Sequence, residues 1–161
     1  MKEVLNVGLT EVKRKKTAEG LIQLLSNNAV LYLKTHNFHW NVIGPMFQPL
    51  HSLFETQYID LWNANDKIAE RVRALGFFVP ASYEDFAKLS KIKEAVGNTR
   101  VESTKMIAEL MGDNEIITRL ARELLPEIEE AKDQVTVDLL SERMEVHEKN
   151  AWMLRSFLEL T

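Results

Sequence analysis

The central part of the chain, residues 39–76, reads HWNVIGPMFQPLHSLFETQYIDLWNANDKIAERVRALG. After the Gly44-Pro45 turn, this stretch predicts one helix from about Pro49 to Leu75, with Gly76 as its C-terminal stop. At about 100° per residue, the apolar positions of that helix fall on one broad face: Leu50, Leu53, Phe54, Leu61, Ala64, Ile68, Val72 and Leu75. We expect this face to form part of the core.

A second stripe on the same helix is polar and lies about a quarter to a third of a turn away from the core face. It contains His51, Glu55, Trp62, Asp66 and Glu70. His51 with Glu55, and Asp66 with Glu70, are two pairs at the i,i+4 spacing that lets neighbouring side chains hold one ion. His51 and Asp66 are 15 residues apart, or about 22 Å along a helix, so the two pairs cannot share an ion within one chain.

A second copy of the helix can complete each half-site. Two copies packed antiparallel about a two-fold axis bring His51 and Glu55 of one chain against Asp66 and Glu70 of the other, which makes two identical sites. His39, at the end of the preceding helix, can fold back beside His51. The predicted ligand set is two imidazoles and three carboxylates, which suits iron or another first-row divalent ion.

Three motifs in this part of the chain match one known family. They are the run HWNVIG at residues 39–44, Leu50-His51 with Glu55, and Asp66 with Glu70-Arg71. These motifs resemble the signature of the Dps family, the DNA-protection-during-starvation mini-ferritins. The ending HEKNAWMLRSFLEL at residues 147–160 also looks like the last helix of that family. Many relatives carry Asp where this chain has Glu55, and either residue supplies a carboxylate.

The resemblance implies an all-α fold, a ferritin-like four-helix bundle with a short extra helix between the second and third helices. It implies a homo-oligomeric shell, a dodecamer, whose ferroxidase sites oxidise Fe(II) with hydrogen peroxide as the preferred oxidant and whose interior stores ferric mineral. By this resemblance His39, His51 and Glu55 come from one subunit, and Asp66 and Glu70 from its two-fold partner. Iron is the implied metal, with zinc or manganese as alternatives at the same site.

Composition indicates one domain, residues 1–161, with 45% apolar and 27% charged residues. The chain has no cysteine, which excludes disulfides, thiolate zinc sites and iron–sulfur clusters. No apolar run approaches the roughly 20 residues that cross a bilayer. The start MKEVLNVGLTEVKRKK lacks the apolar middle of a secretion signal, so we expect a cytoplasmic protein without a membrane partner, with nucleoid association if it binds DNA.

Helical periodicity predicts three further long helices: from about Thr10 to His39, from about Ser103 to Lys132, and from about Val135 to Leu160. Within the Ser103 helix, Gly112-Asp113-Asn114 is a candidate interruption and Pro126 predicts a kink or a break. Ser82 followed by Asp85 predicts the start of a short helix in the connection after Gly76.

Two tryptophans and three acids have candidate roles near the site or at a pore. Trp40 and Trp62 are expected to pack, with Trp62 keeping water from the metal and Trp40 a candidate to intercept oxidising equivalents. By the resemblance, Glu129 and Asp138 line an acidic three-fold pore that draws in Fe(II), with Asp133 nearby. The alternative for these acids is a solvated face.

Two other functions fit a helical bundle. A di-iron site within one chain needs Glu-x-x-His motifs on two helices. None occurs, because the residues three before the four histidines are Leu33, His36, Gln48 and Met144.

The other alternative, a DNA-compacting or cell-surface interaction protein, would need a free basic extension to hold DNA. The basic cluster at residues 13–16 is predicted to be helical and solvated, and the net charge of −4 opposes binding through overall charge. DNA binding is therefore expected to be weak or absent.

Overall fold

The computed structural model describes residues 5–95 and 97–159. Within these residues the chain forms five helices and no strand: α1 Glu11–Asn41, α2 Phe47–Ala74, α3 Tyr83–Leu89, α4 Ser103–Ala131 and α5 Gln134–Phe157. The four long helices and the short α3 between the second and third of them confirm the predicted all-α architecture. The predicted end of the last helix at Leu160 lies outside the described residues.

Side-chain contacts show that the first two long helices, α1 and α2, form one antiparallel hairpin and that the last two, α4 and α5, form another. Arg14, in the first turn of α1, donates a 2.6 Å hydrogen bond to the carbonyl of Leu75, directly after α2. Asn28, in the middle of α1, donates to the carbonyl of Leu61 at 3.0 Å. Two ion pairs join α4 and α5 in the same antiparallel sense: Arg122–Glu148 and Arg155–Glu115.

The two hairpins also pack against each other antiparallel. Two ion pairs at 2.7 Å join α1 to α4: Lys16–Glu127 and Lys34–Asp113. Two contacts at 2.6 Å join α2 to α5 and its N-cap: Asp60–Arg143 and Arg71–Asp133. The order of helix directions is therefore up, down, down, up. The connection after α2 must run back along the bundle before α4 can begin.

This long connection carries α3 and is anchored to α1. Ser82 and Asp85 form a reciprocal capping box at the start of α3, as the sequence predicted. Asn27 of α1 accepts hydrogen bonds from the backbone N–H of Lys91 at 2.8 Å and from the hydroxyl of Ser90 at 3.3 Å. These bonds fix the end of the α3 segment beside α1.

The predicted apolar face of α2 lies in the core. Seven of its positions are buried, and Leu53 is half-buried and packs against them: Leu50, Phe54, Leu61, Ala64, Ile68, Val72 and Leu75. Gly76 follows with φ +94°, the left-handed conformation that glycine adopts without strain at a helix end.

The predicted interruption at Gly112-Asp113-Asn114 and the predicted break at Pro126 were wrong, because α4 runs unbroken from Ser103 to Ala131. The alternative of a kink at Pro126 stays a prediction. The Asp113 carboxylate pairs with the buried Lys34, and Asn114 donates to the carbonyl of Leu110 within its own helix. Pro126 is exposed, so water can satisfy the backbone carbonyl that its missing N–H leaves free. No helix in the described part of the chain is long and apolar enough to span a membrane.

Candidate metal centre

His39 and His51 meet where α1 ends and α2 begins. Their rings stack with centroids 3.7 Å apart and planes inclined by 19°. Nδ1 of His39 lies 2.9 Å from the backbone carbonyl oxygen of His51, and Nδ1 of His51 lies 2.9 Å from the carbonyl oxygen of His39. Because a carbonyl only accepts, each Nδ1 must carry a proton. In the neutral rings both Nε2 atoms therefore keep the lone pair that a metal ion needs.

The connection between the two helices explains this arrangement. Val42 ends α1 in an extended conformation, and Gly44 adopts φ +101°, which reverses the chain. The backbone N–H of Phe47 then bonds to the carbonyl of Gly44 at 3.0 Å and starts α2. The turn thus brings the first turns of α2 alongside the end of α1, and the reciprocal bonds hold both imidazoles in fixed orientations.

The three carboxylates of the polar stripe are exposed and unengaged. The side chains of Glu55, Asp66 and Glu70 form no hydrogen bond or ion pair with any other residue that the structure describes. The cations beside them are used elsewhere, since Lys67 pairs with Glu142 at 3.0 Å and Arg71 pairs with Asp133. The carboxylate oxygens of the stripe are consequently available to an ion or to another chain.

The two halves of the stripe lie far apart in one chain. α2 is continuous from Phe47 to Ala74, so the 15 residues between His51 and Asp66 correspond to about 22 Å. Among residues 5–95 and 97–159, no group of three or more histidine, aspartate or glutamate side chains is close enough to hold an ion. The structure thus brings His39 and His51 together, with Glu55 about one turn further along α2, and it leaves Asp66 and Glu70 remote from them.

An apolar groove with a volume of about 1050 Å³ adjoins the Asp66 end of the stripe. It runs between α1, α2 and the α3 segment and is lined by Trp40, Trp62, Asp66, Tyr83 and other residues. Trp40 and Trp62 are 61% and 62% exposed, and Tyr83 is 84% exposed. Exposed aromatic side chains around a groove are typical of surfaces that bind another molecule.

Sequence analysis missed an aromatic cluster behind the histidine pair. The ring of His36 stacks on that of Tyr58, with centroids 3.9 Å apart, and also contacts that of Trp40, with centroids 4.0 Å apart and planes inclined by 34°. Tyr58 in turn meets the ring of His39 edge-on at 5.2 Å. Burial, with a smaller contribution from His39, lowers the pKa of His36 below its ordinary value. The i,i+4 spacing of His36 and Trp40 is the only local signal of this cluster, because Tyr58 comes from α2.

The three candidate pore acids do not share one environment. Glu129 and Asp138 are exposed, whereas Asp133 is only 3% exposed. Asp133 caps α5 by accepting from Thr136, and it pairs with Arg71 at 2.6 Å. Burial raises the pKa of Asp133, but its hydrogen bonds from Arg71 and Thr136 outweigh burial and lower the pKa overall. Asp133 is therefore the N-cap of α5 and an ion-pair partner within the chain, and its position just before a helix is an N-cap signal. The placing of these acids at or near a pore stays a prediction.

Comparison with known proteins shows which family the chain resembles. A family model for the ferritin-like domain matches residues 18–161. The chain is 35% identical to DNA protection during starvation protein 2 of Bacillus anthracis, over 89% of this chain and 97% of the relative. It is 42% identical to a low temperature-induced protein of Nostoc, over 96% of this chain and 87% of the relative.

Solved structures show the same fold. The Dps protein of Vibrio cholerae, described as a ferritin-like diiron-carboxylate protein, superposes with a TM-score of 0.90 at 31% identity, covering 98% of this chain and 99% of that one. The Dps protein of Bacillus brevis gives a TM-score of 0.86 at 33% identity, over 91% and 97% of the two chains. The chain therefore belongs to the ferritin-like family and, within it, to the Dps proteins.

Proposed function

We propose that this chain is an iron-storage and detoxification mini-ferritin with ferroxidase activity. It oxidises Fe(II), preferably with hydrogen peroxide, at sites shared between two-fold-related subunits, and it stores the ferric mineral in a dodecameric shell in the cytoplasm. Removal of Fe(II) and peroxide together protects DNA from oxidative damage. The relatives named for DNA protection during starvation, and the diiron-carboxylate description of the Vibrio cholerae protein, support this assignment.

One observation carries the proposal: the two pairs of candidate ligands on α2, His51 with Glu55 and Asp66 with Glu70, lie about 22 Å apart on one continuous helix, and their carboxylates are unengaged. A second α2, packed antiparallel about a two-fold axis, brings Asp66 and Glu70 of one chain to His39, His51 and Glu55 of the other. The groove beside Asp66 supplies apolar surface for this contact. Both sites of such a dimer form from one interface.

The donor set suits iron as a substrate. The Nε2 atoms of His39 and His51 hold Fe(II) with modest affinity, and the carboxylates favour the Fe(III) product. Two ferrous ions at a site give peroxide both electrons: 2 Fe(II) + H2O2 + 2 H⁺ → 2 Fe(III) + 2 H2O. This route releases no hydroxyl radical. Zinc or manganese would compete for the same ligands.

Two further features serve the substrate and the site in this proposal. The exposed acids Glu129 and Asp138, repeated around a three-fold axis, form a negative path that draws Fe(II) inward. Trp62, on the polar stripe, keeps water from the shared site once a partner covers it. Trp40, whose ring centroid is 4.0 Å from that of His36, intercepts stray oxidising equivalents in this proposal.

Iron oxidation by peroxide in carboxylate-to-amide variants tests the proposal. Asp66→Asn and Glu55→Gln keep side-chain size and remove a charged ligand. Replacing a residue that only hydrogen-bonds to a metal ligand already lowers activity by about 10- to 100-fold, so each of these variants should slow Fe(II) oxidation by at least that factor. Thr56→Ala, beside Glu55 on the exposed surface of α2, is the matched control and should oxidise iron normally. Wild-type rates in both ligand variants would contradict the assignment.

The size of the assembly and its affinity for DNA complete this test. Light scattering should give the mass of about twelve chains, and iron should exceed two ions per chain after repeated additions. The basic residues at the start of α1 are engaged within the chain, since Lys16 pairs with Glu127 and Lys13 donates to the carbonyl of Glu130. Duplex DNA should therefore bind weakly or not at all in a gel shift at physiological salt.

A further inference from the structure

Four buried polar atoms in the middle of the bundle have no hydrogen-bond partner among the residues that the structure describes. They belong to one residue of α1, one of α2 and two of α5: Asn28 Oδ1, Gln57 Nε2, Arg143 Nε and His147 Nε2. Each of these residues is at most 2% exposed. A buried polar atom without a hydrogen bond costs free energy, so atoms at this depth nearly always have a partner.

The four residues lie at one level of the bundle. Asn28 donates to the carbonyl of Leu61 at 3.0 Å, and Arg143 pairs with Asp60 at 2.6 Å. Together with Gln57, these contacts mark residues 57–61 of α2, an interval of about 6 Å along the helix axis. The contacts therefore place α1, α2 and α5 side by side within about one helical turn.

The remaining two positions face the interior of the bundle. Gln57 is 2% exposed and lies among the apolar core positions of α2. His147 is fully buried, follows Arg143 by four residues and so lies on the same side of α5. Its Nδ1 is 2.8 Å from Oδ1 of Asn114 on α4. We call the set of Asn28, Gln57, Arg143 and His147 the polar layer.

Two of the four atoms are acceptors. Asn28 donates through Nδ2 to the carbonyl of Leu61, which leaves Oδ1 as the unpaired acceptor. Asn114 donates through Nδ2 to the carbonyl of Leu110 at 2.7 Å, so its Oδ1 accepts the Nδ1 proton of His147. Burial, with a smaller contribution from Arg143, lowers the pKa of His147 well below its ordinary value. The ring is therefore neutral, and its Nε2 carries a lone pair.

The other two atoms are donors, because Arg143 Nε and Gln57 Nε2 each carry hydrogen. A ligand that satisfies the polar layer must accept two hydrogen bonds and donate two, as one water molecule does. The Arg143 guanidinium repels a cation. Asp60 already pairs with that guanidinium, and the lone pairs of Asn28 and His147 repel an anion. The chemistry therefore selects a small neutral molecule.

We propose that the polar layer is an internal water-binding site. One or two ordered water molecules accept from Gln57 and Arg143 and donate to Asn28 and His147. The site joins α1, α2 and α5, and the bond from His147 to Asn114 extends it to α4. It lies within a single chain and is independent of the proposed ferroxidase function.

A high-resolution crystal structure of the wild-type assembly tests the proposal without any substitution. At least one water molecule should lie within about 3.2 Å of three of the four atoms. Direct pairing of the four atoms with one another would overturn the proposal. A metal ion or an anion bound among them, or atoms that stay unpaired in the crystal, would overturn it equally.

A double-mutant cycle tests the site in solution. Gln57→Leu removes a donor and His147→Leu removes an acceptor, each with an apolar side chain of similar size. Because both residues bind the same water, chemical unfolding should show coupling. The unfolding constant of the double variant should differ by about threefold or more from the product of the two single effects.

The control cycle combines His147→Leu with Gln23→Leu, an exposed position of α1, and its effects should multiply. Multiplicative effects for Gln57 and His147 would overturn the shared water. If the double variant does not fold, the wild-type crystal structure still decides. Loss of iron oxidation by the wild-type protein would refute the ferroxidase assignment alone.

Discussion

Two inactive variants should restore each other when mixed, because each shared site needs one intact end from each chain. His51→Ala removes an imidazole from both sites of a homodimer, and Asp66→Ala removes a carboxylate from both. In a heterodimer of the two variants, one site carries both defects and the other carries neither. The two variants, each inactive as a homodimer, should therefore recover activity when they are refolded together.

The size of the recovery follows from the geometry. Equal amounts of the two variants give about half heterodimers, each with one intact site of two, so about a quarter of wild-type activity should return. The matched control mixes wild type with the double variant His51→Ala/Asp66→Ala. Its heterodimers have no intact site, so only the wild-type homodimers work, again about a quarter of the total. Sites contained within one chain would instead give none in the first mixture and about half in the second.

The assay is peroxide-driven Fe(II) oxidation after denaturation and refolding of the mixed chains. Native mass spectrometry of chains with distinguishable tags should show that heterodimers make up about half of the population. Activity near zero in the first mixture, with heterodimers proven, would refute the shared-site reasoning. Activity near half of wild type in the control mixture would refute it equally.

Three further predictions concern stability and are checked by chemical unfolding. Gly76→Ala should cost about 1–2 kcal/mol, because φ +94° strains any other residue and the new Cβ would lie 2.9 Å from the Arg14 guanidinium. Asp133→Ala should cost about 3 kcal/mol, since it removes the α5 cap and leaves Arg71 without its buried partner, and Asp133→Asn should retain part of the cap. Burial lowers the pKa of His147 well below its ordinary value, so the folded protein keeps this ring neutral while the unfolded chain binds a proton below pH about 6.5. The free energy of unfolding should therefore fall as pH drops, by about 1.4 kcal/mol at pH 5.5, and His147→Gln should remove this part of the pH dependence. A difference in unfolding free energy between wild type and His147→Gln that stays constant with pH would refute the reasoning.

The course of α2 could be predicted from the sequence because its signals are local. Its apolar positions recur at helical spacing, Gly44-Pro45 precedes it and Gly76 ends it. The same periodicity separates the polar stripe from the core face. Short-range rules are sufficient for such an element, since the residues that define it are neighbours in the chain.

The continuity of α4 could not be predicted in the same way. The sequence Gly112-Asp113-Asn114 disfavours a helix by intrinsic propensity. In the fold, however, Asp113 forms an ion pair with the buried Lys34 on α1, and Asn114 forms a 2.8 Å hydrogen bond with His147 on α5. Contacts with other helices thus outweigh local preference. The N-cap role of Asp133, by contrast, has a local signal, because an aspartate directly before a helix is a favoured N-cap residue.

The details of the candidate site depend on how α1 and α2 are aligned. The sequence places His39 near His51, but only the folded hairpin shows that each Nδ1 lies beside the other residue's backbone carbonyl. The position of Tyr58 between His39 and His36 depends on the same alignment. A shift of one residue between the helices would rotate these side chains by about 100° and remove both features.

Because α2 is unbroken, the number of residues between Glu55 and Asp66 sets the position of one ligand pair relative to the other, and we expect evolution to keep it constant. One residue inserted between Glu55 and Asp66 would rotate the rest of α2 by about 100° and shift it by about 1.5 Å along the helix axis. Asp66 and Glu70 would then leave the face of α2 that they share with His51. The same insertion in the connection between Leu89 and Ser103 would leave every helix in phase. Changes in chain length should therefore accumulate in that connection and at the termini, while the interval within α2 stays fixed to the residue.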